Sequence, residues 1–127
     1  MLDHVGLAVT DYGRSLAFYK KALEPLGFGL VMEIPREVTG GEAHAGFGRD
    51  GRPQFWIGTG GPPSAPIHVA FSARSRADVD AFHAAAMKAG GTDNGKPGLR
   101  PHYHPNYYGA FVRDPDGHNI EAVCHTS

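Results

Sequence analysis

Alternating apolar and small or polar positions predict two short β-strands, one near the start of the chain and one near its middle. In HVGLAV, which begins at His4, every second residue is bulky and apolar, and His4 shares the opposite face with Gly6 and Ala8. HVAFSA, which begins at His68, shows the same alternation. Each histidine therefore lies beside small neighbours that leave room for a cavity, while the bulky face packs against a helix.

A helix is predicted to follow each of these strands. The first begins after the candidate N-cap Asp11 and ends at Gly27. The second begins after Ser75, which resembles a capping box together with Asp78, and ends at residues 90–91. Their apolar stripes are Tyr12, Leu16, Tyr19, Leu23 and Leu26 in the first helix, and Val79, Phe82, Ala86 and Ala89 in the second.

Three further extended segments follow each helix. They cover residues 28–34, 43–48 and 54–58 in the first half, and 92–95, 107–113 and 118–124 in the second. GRDGRP (48–53) and DPDG (114–117) are predicted turns, and GLRPHYHPN (98–106) is predicted to form a loop at the mouth of a binding site. The order of elements is therefore β-α-β-β-β, twice.

The two halves are related by an internal repeat with an offset of 64 residues. The matched pairs are His4 with His68, Phe18 with Phe82, Ala22 with Ala86 and Gly27 with Gly91. We therefore predict an α+β fold in one domain, residues 1–127, built from two tandem βαβββ modules. Module one covers about residues 1–62 and module two about residues 63–127.

Composition narrows the classes of function. The 127 residues carry a formal net charge of −1, which indicates no basic face for nucleic acid. No apolar run is long enough to span a membrane, and the N-terminus does not resemble a signal peptide. The single cysteine excludes an internal disulfide and indicates a reducing compartment, which we predict to be the cytoplasm. The eight histidines suit metal binding or proton transfer.

Two sequence features have a structural interpretation. GFGRDG (46–51) matches the glycine pattern of a dinucleotide-binding loop, but RPQFWIG follows it and is strand-like, so we interpret it as a hairpin turn. Cys124 has the opposite strand parity to Glu121, so we expect a buried structural thiol rather than a nucleophile.

Glu121 lies in the middle of the last predicted strand, where an unpaired carboxylate would be costly to bury. If the modules pack with near two-fold symmetry, His4 and His68 face each other and the last strand brings Glu121 to the same face. Two imidazoles and one carboxylate would then form a facial metal site with open positions for water or substrate. From the residues alone, the histidines could instead be satisfied core residues, and Glu121 could pair with Arg113 or a tyrosine hydroxyl.

Three motifs carry a family resemblance: DHVGLAV at the start, IHVAF in the middle and DPDGHNIEAV near the end. The chain resembles the vicinal oxygen chelate superfamily, which is the glyoxalase/bleomycin resistance/dioxygenase group. The resemblance covers essentially the whole chain. It implies a cupped mixed β-sheet with helices on the outside and a divalent metal ion (Zn, Ni, Mn, Fe or Co) held inside. Family ligands lie on the first and last strands of the modules, and His4, His68 and Glu121 fall on three such positions.

The chain also departs from glyoxalase I, which has a further ligand, usually glutamate, on the last strand of module one. This chain reads QFWIG there. The 64-residue offset predicts Ile57 opposite Glu121, whereas aligning the two Asp-Gly turns predicts Phe55, and neither can bind a metal. Three protein ligands remain, as in the extradiol dioxygenases and the fosfomycin-resistance enzymes. Bleomycin-binding members have an acidic groove, which this composition does not supply.

Further candidate residues lie in the loop and strand that begin at residue 100. Candidates for catalysis are His104, Tyr107 and Tyr108, and candidates for substrate binding are Trp56, Arg100 and His102. By strand parity, only one of the two tyrosines can face the cavity unless a bulge intervenes. For each residue, the alternative is an ordinary role at the surface or at the edge of the core.

The first functional hypothesis is a metal-dependent, glyoxalase-like enzyme of the lyase or isomerase type. Its small oxygenated substrate would chelate the metal through adjacent oxygens, and the metal would act as a Lewis acid. The alternatives are an extradiol-dioxygenase-like enzyme and a non-catalytic, antibiotic-type small-molecule binding protein. The open cups of the superfamily commonly pair, so we also expect a homodimer.

Overall fold

Two four-stranded β-sheets, one in each half of the chain, form the framework of the protein. A computed structural model describes residues 2–61 and 65–127. The elements are β1 (Val5–Ala8), α1 (Tyr12–Ala22), β2 (Gly29–Ile34), α2 (Arg36–Thr39), β3 (His44–Arg49), β4 (Arg52–Gly58), β5 (His68–Ser72), α3 (Arg76–Lys88), β6 (Thr92–Leu99), β7 (Tyr108–Arg113) and β8 (Asn119–Cys124).

Each sheet is mixed and follows the same connectivity. The strand order is β1-β4-β3-β2 in module one and β5-β8-β7-β6 in module two, and in each sheet the first strand runs parallel to the last. The predicted α+β fold of two βαβββ modules is therefore confirmed. The predicted boundary near residues 62 and 63 falls on residues 62–64, which lie outside the described residues.

The helix starts follow the predicted caps. The side chain of Asp11 accepts a hydrogen bond from the Arg14 amide, and Ser75 accepts one from the Asp78 amide, each at 3.1 Å. The first helix is shorter than predicted, because α1 ends at Ala22 and a 3₁₀ turn containing Pro25 leads to Gly27. No helix in residues 2–61 or 65–127 has the length and apolar character needed to cross a membrane.

The strands differ from the prediction in module two. The segment predicted at 92–95 continues to Leu99 as β6, so it includes the start of the predicted loop at 98–106. Its register against β7 shifts on both sides of Gly95, and these irregularities disrupt the alternation that would have indicated a strand. The short helix α2 was not predicted. In module one, GFGRDG forms most of β3 and its hairpin turn, as interpreted, with positive φ angles at Asp50 (53°) and Gly51 (72°).

One hydrophobic core runs through both modules. The bulky faces of the strands pack against α1 and α3, and the residues with the largest fully buried side chains include Phe18, Tyr19 and Phe82. Aromatic contacts cross between the modules, since the Phe55 and Phe71 ring centroids lie 5.1 Å apart. The opposite face of each sheet is therefore free of core packing. Cys124 is buried, as predicted.

The turn between β7 and β8, residues 114–118, holds the two modules together, and we call it the inter-module turn. The buried carboxylate of Asp114 accepts a hydrogen bond from the Tyr19 hydroxyl of α1 at 2.5 Å. Its other oxygen accepts the backbone amides of Asp116 at 2.9 Å and His118 at 2.8 Å. A single carboxylate therefore organises the turn and fixes α1 to module two.

Two further residues of the inter-module turn contact module one. Asp116 accepts a hydrogen bond from the Thr10 hydroxyl at 2.7 Å. The buried imidazole of His118 bonds through Nε2 to the carbonyl of Ala8 at 3.0 Å and accepts the Ile67 amide at Nδ1 at 3.1 Å. His118 is therefore a satisfied structural histidine with its proton on Nε2.

Replacing Tyr19 with phenylalanine tests the inter-module turn. Burial and the neighbouring Asp114 raise the pKa of Tyr19 well above its ordinary value, so the hydroxyl stays protonated as a donor. Tyr19→Phe leaves Asp114 buried with one donor fewer and should lower the free energy of unfolding by about 1–3 kcal/mol in urea denaturation. Tyr12→Phe is the matched control, because the Tyr12 hydroxyl bonds to Glu33 near the surface. Equal losses in the two variants would contradict the role of Asp114.

Candidate metal centre

Glu121 is a buried carboxylate on the open face of the second sheet. In the register of β8, Glu121 pairs with Ala70 of β5 on one side and with Phe111 of β7 on the other. A Cβ atom added to Gly109 would lie 3.3 Å from Oε2 of Glu121. The small residues Ala70 and Gly109 beside Glu121 therefore leave space near its carboxylate.

Both oxygens of Glu121 have a protein partner. Nε2 of His68 lies 2.9 Å from Oε1, and the Tyr107 hydroxyl donates a hydrogen bond to Oε2. The side chain of His68 remains 51% exposed, whereas that of Glu121 is 2% exposed. An exposed imidazole and a buried carboxylate thus meet at the wall of an open cavity.

This cavity has a volume of about 490 Å³ and is lined by His68, Tyr103, His104, Tyr107, Phe111, Glu121 and His125. All these lining residues belong to module two, among the residues that the structure describes. The sequence analysis missed His125. Strand parity could have found it, because residues 121, 123 and 125 share one face when the alternation of β8 is continued past Cys124. The ring centroids of His104 and His125 lie 5.7 Å apart.

His4, the third predicted metal ligand, does not meet the other two within the chain. Its Nδ1 lies 2.7 Å from a carboxylate oxygen of Asp3, and its side chain is 59% exposed. It lines a cavity of about 510 Å³ together with His68, but it does not line the cavity that contains Glu121. Across residues 2–61 and 65–127, no three His, Cys, Asp or Glu side chains are close enough to hold one metal ion.

The two candidate tyrosines lie on opposite faces of the sheet. Tyr107 bonds to Glu121, whereas the Tyr108 hydroxyl donates to Asp80 of α3 at 2.6 Å. Tyr108 is therefore directed away from the Glu121 cavity and towards the helix. This difference follows the strand parity, because β7 begins at Tyr108 and no bulge reverses the alternation there.

The other candidates in the loop lie around the rim. His104 lines the cavity, and its Nδ1 accepts the Asn106 amide at 3.0 Å. Arg100 donates to two backbone carbonyls at 2.8 Å and lies over the Phe111 ring at 5.4 Å. The His102 ring is tilted against that of Tyr103, with 4.1 Å between the ring centroids. Within the described part of the chain, neither Arg100 nor His102 lines the Glu121 cavity.

Trp56 occupies the position in module one that corresponds to Glu121. It pairs with Gly6 of β1, as Glu121 pairs with Ala70 of β5. Both alignments made from the sequence, to Ile57 and to Phe55, were therefore wrong, and these side chains are buried in the core. The offset from β4 to β8 is 65 residues, one more than from β1 to β5, because the chain between the first and third strands is one residue longer in module two.

The Tyr107 hydroxyl keeps its proton, and so remains a hydrogen-bond donor, over a wide pH range. Burial, the hydrogen bond to Glu121 and the charge of Glu121 together raise the pKa of Tyr107 to about 12, with burial the largest cause. The Tyr107 hydroxyl is therefore protonated at neutral pH.

Comparison with known proteins places this chain in a family. The model of the Glyoxalase/Bleomycin resistance protein/Dioxygenase superfamily matches residues 1–122. The chain belongs to this superfamily. The superfamily includes glyoxalases and dioxygenases, and its members bind small molecules and often metals.

Solved structures of other superfamily members have the same fold. A glyoxalase/bleomycin resistance protein from Albidiferax ferrireducens T118 is 29% identical, with a TM-score of 0.72 and 97% of each chain covered. A domain from Frankia sp. EAN1pec described as glyoxylase/bleomycin resistance protein/dioxygenase is 18% identical, with a TM-score of 0.73, and 99% of this chain and 98% of that chain are covered. Glyoxalase I from Zea mays is 23% identical, with a TM-score of 0.69, and the match covers 96% of this chain and 45% of that chain. No curated protein sequence matches significantly.

The pKa of Tyr107 tests the contact with Glu121 in this superfamily member. Glu121→Gln removes the negative charge but leaves the burial, so the pKa of Tyr107 should fall from about 12 towards its ordinary value of 10.0. The phenolate absorbance of Tyr107 should then appear at lower pH, measured as the difference between Glu121→Gln and Glu121→Gln/Tyr107→Phe. The control is Tyr108, whose pKa is raised mainly by its bond to Asp80 and should not change. An unchanged Tyr107 titration would mean that the two side chains are not in contact.

Proposed function

We propose that this superfamily member is a metal-dependent, glyoxalase-like enzyme of the lyase or isomerase type. Its substrate is a small oxygenated molecule that presents two adjacent oxygens. The observation that carries the proposal is the 2.9 Å separation between Nε2 of His68 and Oε1 of Glu121 beside an open cavity. Two donors bound to one ion at about 2.0–2.2 Å lie roughly 3 Å apart, so this pair fits two positions around a metal.

The chemistry of the donor set also fits a divalent transition metal. An imidazole and a carboxylate suit Zn, Ni, Mn, Fe or Co. The hydroxyl of Tyr107 stabilises Glu121 from the side away from His68, as a neighbour that orients a metal ligand does. Among the described residues, the one basic side chain paired with this buried carboxylate is the half-exposed His68.

We propose that His4 of a second copy supplies the third ligand. The cavity with Trp56 is lined by described residues of module one only, and the cavity with Glu121 by described residues of module two only, although His4 and His68 also share the cavity of about 510 Å³. A homodimer in which module one of each copy covers module two of the other would bring the two faces together. Such an exchange is symmetric and forms two equivalent sites.

The side chains around the pair have distinct roles in this proposal. A bound divalent ion would supply Lewis acidity for charge that develops on a substrate oxygen. Tyr107 keeps its proton at neutral pH because its pKa is about 12, so it orients Glu121 and donates hydrogen bonds rather than acting as a base. His104, together with His125 at the same rim, moves a proton to or from the substrate.

The loop at residues 100–107 would contact the part of the substrate that extends out of the cavity. It contains Arg100 and His102, which we propose as rim contacts, and Tyr103, which lines the cavity. The same ligand set would serve extradiol-dioxygenase-like chemistry, and the same cup without metal would serve a binding protein. Metal binding distinguishes the non-catalytic binding protein from the two metal-dependent enzymes. We also propose a cytoplasmic location, where Cys124 stays reduced.

Metal binding tests the pair of ligands directly. Titration of metal-free protein with Co²⁺, followed by calorimetry and visible absorbance, should show tight binding to the wild type. Glu121→Gln and His68→Ala should each weaken that binding by about tenfold or more. His83→Ala is the matched control, because His83 bonds to Asp93 away from the site, and its affinity should equal that of the wild type. Wild-type affinity in Glu121→Gln would rule out the metal centre, and ligand binding without metal would favour the binding protein.

Mixing two defective variants tests whether the site is shared between copies. His4→Ala and Glu121→Gln should each bind Co²⁺ weakly alone. In a heterodimer purified with two different tags, one site contains both changes and the other contains neither. About one tight Co²⁺ site per heterodimer is expected from this symmetry. A heterodimer with no tight site would place His4 in the same chain as Glu121, and a light-scattering mass of one chain would exclude the dimer.

A further inference from the structure

The open face of module one has an aromatic side chain where module two has its candidate metal ligand. Trp56 pairs with Gly6 of β1 and with Gly46 of β3. Glu121 has the corresponding neighbours Ala70 and Phe111 in module two. The two modules therefore place different chemistry at the same point of the same architecture.

Glycines make room for Trp56 and for His44 on this face. A Cβ atom at Gly46 would lie 3.0 Å from Cη2 and Cζ2 of Trp56, so the indole lies over the bare backbone of Gly46. A Cβ atom at Gly58 would lie 2.2 Å from Nδ1 of His44, so the imidazole lies over Gly58 in the same way. The indole therefore lies over Gly46 beside the Pro53 side chain, and the imidazole lies over Gly58.

Trp56 and His44 line two neighbouring cavities above this surface. One cavity of about 430 Å³ is lined by His4, Gly6, Ile34, His44 and Trp56, and one of about 240 Å³ includes Gly6, Ala8, His44, Trp56 and Gly58. The surface therefore offers a half-buried indole and the imidazoles of His44 and His4, and none of its described lining residues is Asp, Glu, Lys or Arg.

We propose that Trp56 and His44 form a stacking subsite for an uncharged, planar aromatic group of the substrate. Indole stacks favourably on flat aromatic rings, and a lining without Asp, Glu, Lys or Arg favours an uncharged group over an ionic one. This inference rests on the proposed function in one respect, since it assigns the aromatic group to the molecule that the Glu121 site binds. In the proposed dimer, the metal lies between His68 and Glu121 of one copy and His4 of the other, and Trp56 and His44, which line a cavity with that His4, bind the ring beside it.

Two probes of equal framework test the subsite, namely 2-naphthol and its saturated, non-planar analogue decahydro-2-naphthol. Trp56 is the only tryptophan of the chain, so fluorescence reports on this position alone. With wild-type protein, 2-naphthol should quench the emission saturably and bind about three- to tenfold more tightly than the saturated analogue in calorimetry. Equal affinity for both probes, or no saturable binding, would overturn the proposal.

Three variants locate the binding. Trp56→Leu should lose the preference for 2-naphthol, and Trp56→Phe should keep most of it because it retains a ring. Gly6→Ala adds a methyl group to the floor of both cavities; its nearest neighbour would be the Trp56 Cβ at 3.8 Å, so the fold tolerates it and naphthol binding should weaken several-fold. Unchanged preference in Trp56→Leu would overturn the subsite. Circular dichroism confirms that each variant is folded.

Co²⁺ binding keeps this test separate from that of the proposed function. Trp56→Leu should retain wild-type Co²⁺ affinity, and Glu121→Gln should retain its preference for 2-naphthol. Naphthol binding without any metal site would uphold the subsite and reject the metalloenzyme. Metal binding without a preference for 2-naphthol would support the metal centre and reject the stacking subsite.

Discussion

The buried carboxylate of Asp114 is the interaction on which the arrangement of this molecule depends. It bonds to Tyr19 in module one and to two amides of its own turn, so the turn cannot move without breaking contacts in both modules. Strand β8 begins at Asn119, directly after that turn. The position of Glu121 is therefore set by the same residues that hold the modules together, and the scaffold and the site share one anchor.

A second principle is the division of each strand into a core face and an open face. Val, Leu and Phe side chains on one face build a core that is continuous across the modules, which leaves the opposite faces free to carry chemistry. In module two that face holds Glu121, His68 and Tyr107 around one cavity. In module one it holds Trp56 and His44 on glycine-rich backbone. The single chain thus presents two half-sites of contrasting character.

Strand periodicity made much of this predictable. The repeat, both helix caps and the shared face of His68 and Glu121 follow from residue patterns that act locally, and the same parity separates Tyr107 from Tyr108. The counterpart of Glu121 in module one was not predictable, because one additional residue between the first and third strands of module two changes the alignment without a mark in the sequence. The placement of His4 was also beyond reach, since it precedes β1 and bonds to Asp3, so that no strand ladder fixes its direction. In β6, bulges removed the alternation on which the prediction relies.

The bare backbone beneath Trp56 and His44 has a consequence for how such a protein can diversify. A methyl group gained at Gly6 would meet its nearest neighbour, the Trp56 Cβ, only at 3.8 Å, so it alters the shape of the cup and leaves the interior packing unchanged, whereas at Gly46 it would displace the Pro53 and Trp56 side chains. The residues that select a ligand and the residues that form the core thus lie on opposite faces of the same strands. Single substitutions on the open face can therefore change which ligand binds while the hydrophobic core stays the same.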